Sequence, residues 1–197
     1  SIMAFPTLLK NKKIQTIISK FCQSTNIGYK LFIDKNDNIN FHINKSKLII
    51  NKNLNLKKWH LITACYNHDT GNIFLSTKYY DEDNVNFTKT KIQKKIQKKI
   101  NFNNNKDLLI STNAHNQINE NFYNGKLESL KISIDKNISF FSNNNKFLLE
   151  FDFSKNLYSD KIIDISENKL HGKLFNHPAR AVTGFKWKES SRDWKKT

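Results

Sequence analysis

The chain has 197 residues, a length that fits one domain of ordinary size with a sizeable core. Hydrophobic residues make up 38% and aromatics 12%, and the formal net charge is +16. Arg180 and Arg192 are the only arginines, so the charge is almost wholly lysine, spread over turn-like and strand-like stretches alike. A nucleic-acid interface gathers basic residues on one face and favours Arg, so this spread is read as AT-rich codon bias rather than a nucleic-acid footprint. No apolar run approaches the roughly 18 residues of a membrane span, and no secretory leader is visible. Cys22 and Cys65 form neither a disulfide framework nor a zinc motif, and are expected as buried free thiols. Three glycosylation tripeptides begin at Asn44, Asn86 and Asn137, where so much Asn makes chance matches common. A cytoplasmic, reducing setting is expected.

In chain order, Ser1 to Phe5 already reads as a strand. Tyr29, Leu31 and Ile33 alternate with Lys30, Phe32 and Asp34; Ile39, Phe41 and Ile43 alternate with Asn40 and His42. The link from Asp34 to Asn38 is turn chemistry, so the two strands are predicted to form a hairpin. Trp59 to Tyr66, the turn Asn67 to Asn72 and Ile73 to Tyr79 predict a second, with Trp59 alternating like a core residue. Further strands are expected at Leu108 to Ser111, Leu127 to Ile134 and Phe147 to Phe153, the last placing Phe147, Leu149, Phe151 and Phe153 on one face. Roughly ten short strands without alternating helices predict an all-β, antiparallel sandwich. From Lys89 to Ile100 the spacing changes: Ile92, Ile96 and Ile100 recur every four residues among lysines. As a functional element this is a basic amphipathic helix for an anionic surface; as a structural one, a short helical or loop insertion laying a thin Ile stripe on the sandwich. The thin stripe favours the second.

Several segments resemble laminin-G-like domains of the concanavalin A-like, jelly-roll class. They are Trp59 to Ala64 with Tyr66, Gly71 and Phe74-Leu75, and Asn124 to Leu127 before Leu130 to Ile132. A more specific group is similar to the large subunit of the N,N-dimethylformamidase family: Phe151 to Ser154, Leu170 to Leu174, Asn176 to Gly184 and Trp187, with Ile2 to Thr7 and Gln15 to Lys20 at the start. Tyr80 to Lys106 and Asp135 to Lys146 depart from the pattern. The resemblance implies a laminin-G-like sandwich over residues 1–176 and a linker over 177–197 leading to a catalytic domain. It implies that the iron and its Tyr and Glu ligands belong to that other domain, with no cofactor here. The expected function is therefore non-catalytic and organising, within a hydrolase of linear amides, with the catalytic domain and other subunits as partners. Pro178, Arg180, Gly184 and Trp187 are the expected interdomain contacts. Pro178 fixes the backbone, Gly184 opens unusual conformations, and Arg180 brings a rigid fork of donors to a lysine-rich chain. The alternatives are a carbohydrate-binding lectin-like module and a basic nucleic-acid or membrane-surface binder.

Candidate chemistry is sparse. Glu150 and Asp152 point the same way at i and i+2, as glycosidase carboxylates do on such strands, but no third acid follows; a solvent-facing acidic pair is expected. Asp81-Glu82-Asp83-Asn84 offers oxygens for calcium, yet adjacent residues rarely converge on one ion. His42, His60, His68, His115, His171 and His177 lack zinc spacing, and His171 before Gly172 is expected to support a turn.

Overall fold

The computed structural model describes residues 1–51, 54–80, 89–115, 118–134, 147–176 and 178–179. Among these it contains β-strands, turns and no helix, so no helix is long and apolar enough to cross a membrane. The strands are β1 (Ile2–Pro6), β2 (Gln15–Cys22), β3 (Ile27–Ile33), β4 (Ile39–Ile43), β5 (Ser46–Ile50), β6 (Trp59–Tyr66), β7 (Asn72–Tyr80) and β8 (Lys89–Lys95). There follow β9 (Leu109–Ile110), β10 (Asn113–His115), β11 (Ile118–Glu120), β12 (Gly125–Glu128), β13 (Leu130–Ile132), β14 (Leu149–Asp152), β15 (Lys161–Asp164) and β16 (Gly172–Lys173). Contacts gather the chain into two compact units. The first joins Ser1–Ala4 to Lys126–Thr197, and the second is Phe5–Gly125.

The second unit carries the long strands. One antiparallel sheet runs β5-β4-β3-β2-β9, and β6, β7 and β8 pair antiparallel in sequence. β5 lies beside β7 and β8, so the two sheets approach along that side, consistent with a β-sandwich. Period-two alternation explains the core: Ile39, Phe41 and Ile43 of β4 and Ile73 and Leu75 of β7 are all buried. Both predicted hairpins form. Asp34 Oδ1 accepts the Asn36 and Asn38 N–H groups at 2.8 and 3.0 Å, closing the β3–β4 turn. Asn67 Oδ1 does the same for Asp69 and Thr70 at 3.1 and 2.8 Å before Gly71 turns the chain at φ 74°. Gly28, at φ 119°, admits no side chain, since a Cβ would lie 2.1 Å from the Lys20 carbonyl oxygen across the β2–β3 pair.

The expected helical or loop insertion at Lys89 to Ile100 is corrected here. Lys89–Lys95 is a strand, with Leu75 opposite Ile92 and Ser76 opposite Lys91, and only the residues after it are loop. An isolated twelve-residue helix with three apolar side chains is marginal in water, whereas the edge of β7 supplies a hydrogen-bonding partner for every other peptide group. The predicted strand Leu127 to Ile134 is divided into β12 and β13 at Ser129, which takes φ 53°. Trp59 is half-buried rather than core, its ring 5.3 Å from that of Phe5; the buried residues of β6 are His60, Leu61 and Ile62.

The first unit has short strands, in the order β13-β14-β15-β16, all antiparallel. Leu130, Leu149, Phe151 and Ile162 are its buried apolar side chains along these strands. Gly172 sits where a Cβ would come within 3.1 Å of the Phe151 ring, so glycine lets β16 lie close against that ring.

Candidate functional site

The groups best equipped for chemistry meet in the first unit, around Asp164 at the end of β15. Its carboxylate is fully buried and takes four hydrogen bonds. Oδ1 accepts the Glu150 and Ser166 N–H groups, each at 2.9 Å; Oδ2 accepts the Ser166 hydroxyl at 2.8 Å and the Leu170 N–H at 2.7 Å. Burial alone would raise this carboxyl, but the donors of Glu150, Ser166 and Leu170 outweigh it and hold it below the ordinary Asp value. The local cause is Asp164-Ile165-Ser166, in which an Asp side chain turns back onto the backbone two residues on. The result ties β14, β15 and the Ile165 to Leu170 turn to one charge.

The sequence-identified pair flanks this centre. β14 alternates as expected, with Leu149 and Phe151 buried and Glu150 and Asp152 on the other face. Glu150 meets Lys131, its cross-strand partner on β13, at 2.8 Å, with both side chains 22% exposed. Lys131 also lies 4.8 Å over the Phe147 ring. Asp152 Oδ1 instead accepts the Ser154 N–H at 3.0 Å and its hydroxyl at 2.5 Å, shaping the turn after the strand. His171 Nδ1 accepts the Asp164 N–H at 3.1 Å, so this ring supports the β15–β16 connection. Each of these groups has a partner: a backbone N–H for Asp152, Asp164 and His171, and the Lys131 side chain for Glu150. Asp164 was missed by sequence reasoning, which looked for paired acids on one strand; the Asp-x-Ser spacing was the available signal.

The other histidines lie apart. His42 packs edge-on against Phe32 at 4.8 Å, and burial, with Lys30 and Lys47 nearby, lowers its pKa to about 4. His60 is buried; its Nε2 lies 3.1 Å from the Asn55 N–H, and burial again lowers its pKa to about 4. His68 lies 3.9 Å from Asp69 on the exposed β6–β7 turn. The side chain of His115, and all of His177, fall outside the described residues, as does Asp81 to Asn84. Among the described residues no three His, Cys, Asp or Glu side chains converge as metal ligands do.

Cys22 and Cys65 are both free thiols, the first buried and the second half-buried. Hydrogen bonds from Ser24 and then Thr25 lower the Cys22 pKa to about 7, while burial raises that of Cys65. Asn44, first residue of a glycosylation tripeptide, has both ends of its amide engaged: Oδ1 accepts the Gly28 N–H and Nδ2 donates to the Asn101 carbonyl. Asn86 and Asn137 lie outside the described residues. Of the expected interdomain residues only Pro178 is described, and it is exposed; Arg180, Gly184 and Trp187 lie outside the described residues, with most of the linker expected over 177–197.

Compared with known proteins, the chain matches no family model, and no curated protein matches it significantly.

Proposed function

We propose that this chain is a non-catalytic, organising domain of an amidohydrolase related to the N,N-dimethylformamidase large subunit, with a concanavalin A-like, laminin-G-like sandwich as its fold. The observation that carries the reading is the employment of the acid and base groups of the first unit. Glu150 pairs with Lys131, Asp152 shapes a turn, Asp164 binds four donors, and His171 accepts a backbone N–H. Groups held this way stiffen a scaffold; a general acid or nucleophile needs a face open to substrate. The antiparallel sheets of the second unit, approaching beside β5, support the sandwich class. The two free thiols support a reducing, cytoplasmic compartment. In this reading Arg180, with Pro178, Gly184 and Trp187, orients the chain against a catalytic domain that holds the iron.

Immunoprecipitation of the native protein through this chain tests the proposal. It is expected to recover iron and amide-hydrolysing activity, while the purified 197-residue chain hydrolyses neither formamides nor β-glucans. Recovery without iron or amidase activity overturns the reading. So does turnover by the chain alone that Glu150→Gln or Asp152→Asn abolishes.

A further inference from the structure

The second unit has an open groove of about 640 Å³ where β2 begins and the β3–β4 turn lies. Its apolar lining is Ile14 with Phe122 and Leu8, the last two 56% and 43% exposed. Lys12, Lys13 and Lys35 line the same groove. Three lysines beside an exposed phenyl ring carry no message in a chain this basic unless the parts are held in place. Here they are.

The backbone on either side of Phe122 is pinned. Asn121 O accepts the Thr16 N–H at 2.7 Å, Tyr123 N–H donates to Ser111 O at 2.9 Å, and Asn124 N–H donates to Gln15 Oε1 at 2.8 Å. Gln15 is itself buried, and its Nε2 donates to Leu8 O at 2.8 Å, so one amide braces two walls of the groove. The lysine-bearing loop is anchored by Lys10, whose N–H lies 3.0 and 2.9 Å from the two Asp37 carboxylate oxygens. Asp37 and Asp34 are the acids of the loop that carries Lys35, and both accept local donors. Among the described residues no carboxylate pairs with Lys12, Lys13 or Lys35, and no ring contacts Phe122.

We propose that this groove binds single-stranded nucleic acid, one base stacking on Phe122 and the flanking phosphates meeting Lys12, Lys13 and Lys35. An exposed aromatic face takes any base, and ammonium groups on flexible stems follow a phosphate backbone as point charges. A membrane surface calls for protruding apolar side chains, whereas Phe122 lines a concavity. The net charge of +16 draws the polyanion in; the groove gives it a place to stop.

Fluorescence anisotropy of the full chain with a labelled oligothymidylate, titrated at several salt concentrations, tests this. Phe122→Ala is expected to weaken binding about tenfold or more, the usual effect of losing a stacking partner. Phe122→Leu keeps the apolar bulk and is expected to weaken it as much, which separates stacking from folding. Lys12→Gln with Lys35→Gln should reduce the slope of log affinity against log salt by about 1.4, near 0.7 per phosphate contact on a single strand. Lys94→Gln with Lys95→Gln on β8 removes the same charge and should change affinity less than threefold. The proposal is overturned if the oligonucleotide does not bind at low salt, if Phe122→Leu binds like wild type, or if the β8 pair matters as much as the groove pair. It is equally overturned if phosphatidylserine vesicles capture the chain more tightly than the oligonucleotide does.

Discussion

The second unit is held by apolar side chains on strands of mostly five to nine residues; the first combines a few buried apolar side chains with one buried carboxylate among strands of two to four. Long alternating strands bury enough apolar area to hold a sheet. Strands as short as β13 and β16 bury less, and there a charge with four donors adds to the small apolar core of Leu130, Leu149, Phe151 and Ile162. The difference teaches where each unit is vulnerable. A buried apolar core degrades by degrees, whereas a single polar hub fails at once when its charge is removed.

The largest effect is therefore expected at Asp164. Replacing it with Ala strands three backbone N–H groups and a hydroxyl, and should cost about 3–5 kcal/mol, as expected for breaking a buried charged network. Hydrogen exchange read residue by residue checks it. Amides from Leu149 to Leu170 should lose protection while those of β3, β4 and β7 keep theirs. Equal loss in both units would show one cooperative body and break the comparison.

The second unit was the more legible in the sequence. Alternation gave the inward residues Leu31, Ile33, Ile39, Phe41, Ile43, Ile73 and Leu75, and Asn and Asp marked the turns; on β3 and β4 it failed for Phe32 and Asn40, expected on the water side but buried. Residues 89–95 were misread because isoleucines every four positions satisfy a helix, and what decided the matter was the edge of β7, which is not local information. Glu150 and Asp152 were legible as a pair on one face, but not their partners: Lys131 lies across a strand pair. Phe122 and the groove escaped for the same reason. Its walls come from three loops far apart in the chain, and no periodicity links them.

Acid should separate the units further. His42 and His60 have folded pKa values near 4, below their ordinary 6.5, so the unfolded chain binds more protons between those values. Stability of the second unit should be complete above pH 6.5 and fall by several kcal/mol at most (about 1.4 per pKa unit for each histidine, less for the part-exposed His42) as pH drops toward 4. Asp164 is depressed below 3.8, so its contribution is present above that value and is lost only as pH falls through the lower folded pKa. Amide cross-peaks followed in urea from pH 7 to 3 should show β4 and β7 weakening first and β14 and β15 later. His60→Gln should flatten the first phase. If the first unit weakens earlier, the assignment of its stability to Asp164 is wrong.

The smallest effect is expected at Glu150, and it bears on function as much as on stability. Its carboxylate lies 2.8 Å from Lys131 Nζ, directly across the β13–β14 pair, with both side chains 22% exposed. At that exposure water and salt screen the attraction, and cross-strand ion pairs of this kind contribute about 0.2–1 kcal/mol. Glu150→Gln keeps the shape, removes the charge, and should therefore cost less than about 1 kcal/mol, shrinking further in 1 M salt. The contrast with Asp164, which differs from Glu150 chiefly in having donors instead of a cation, is the sharpest test of the hub. A loss at Glu150 as large as that at Asp164 would mean that charge in general, not the four convergent donors, holds the first unit. A rise in stability would mean something else: that Glu150 is held at a cost, as functional acids are, and that the scaffold reading of this face fails.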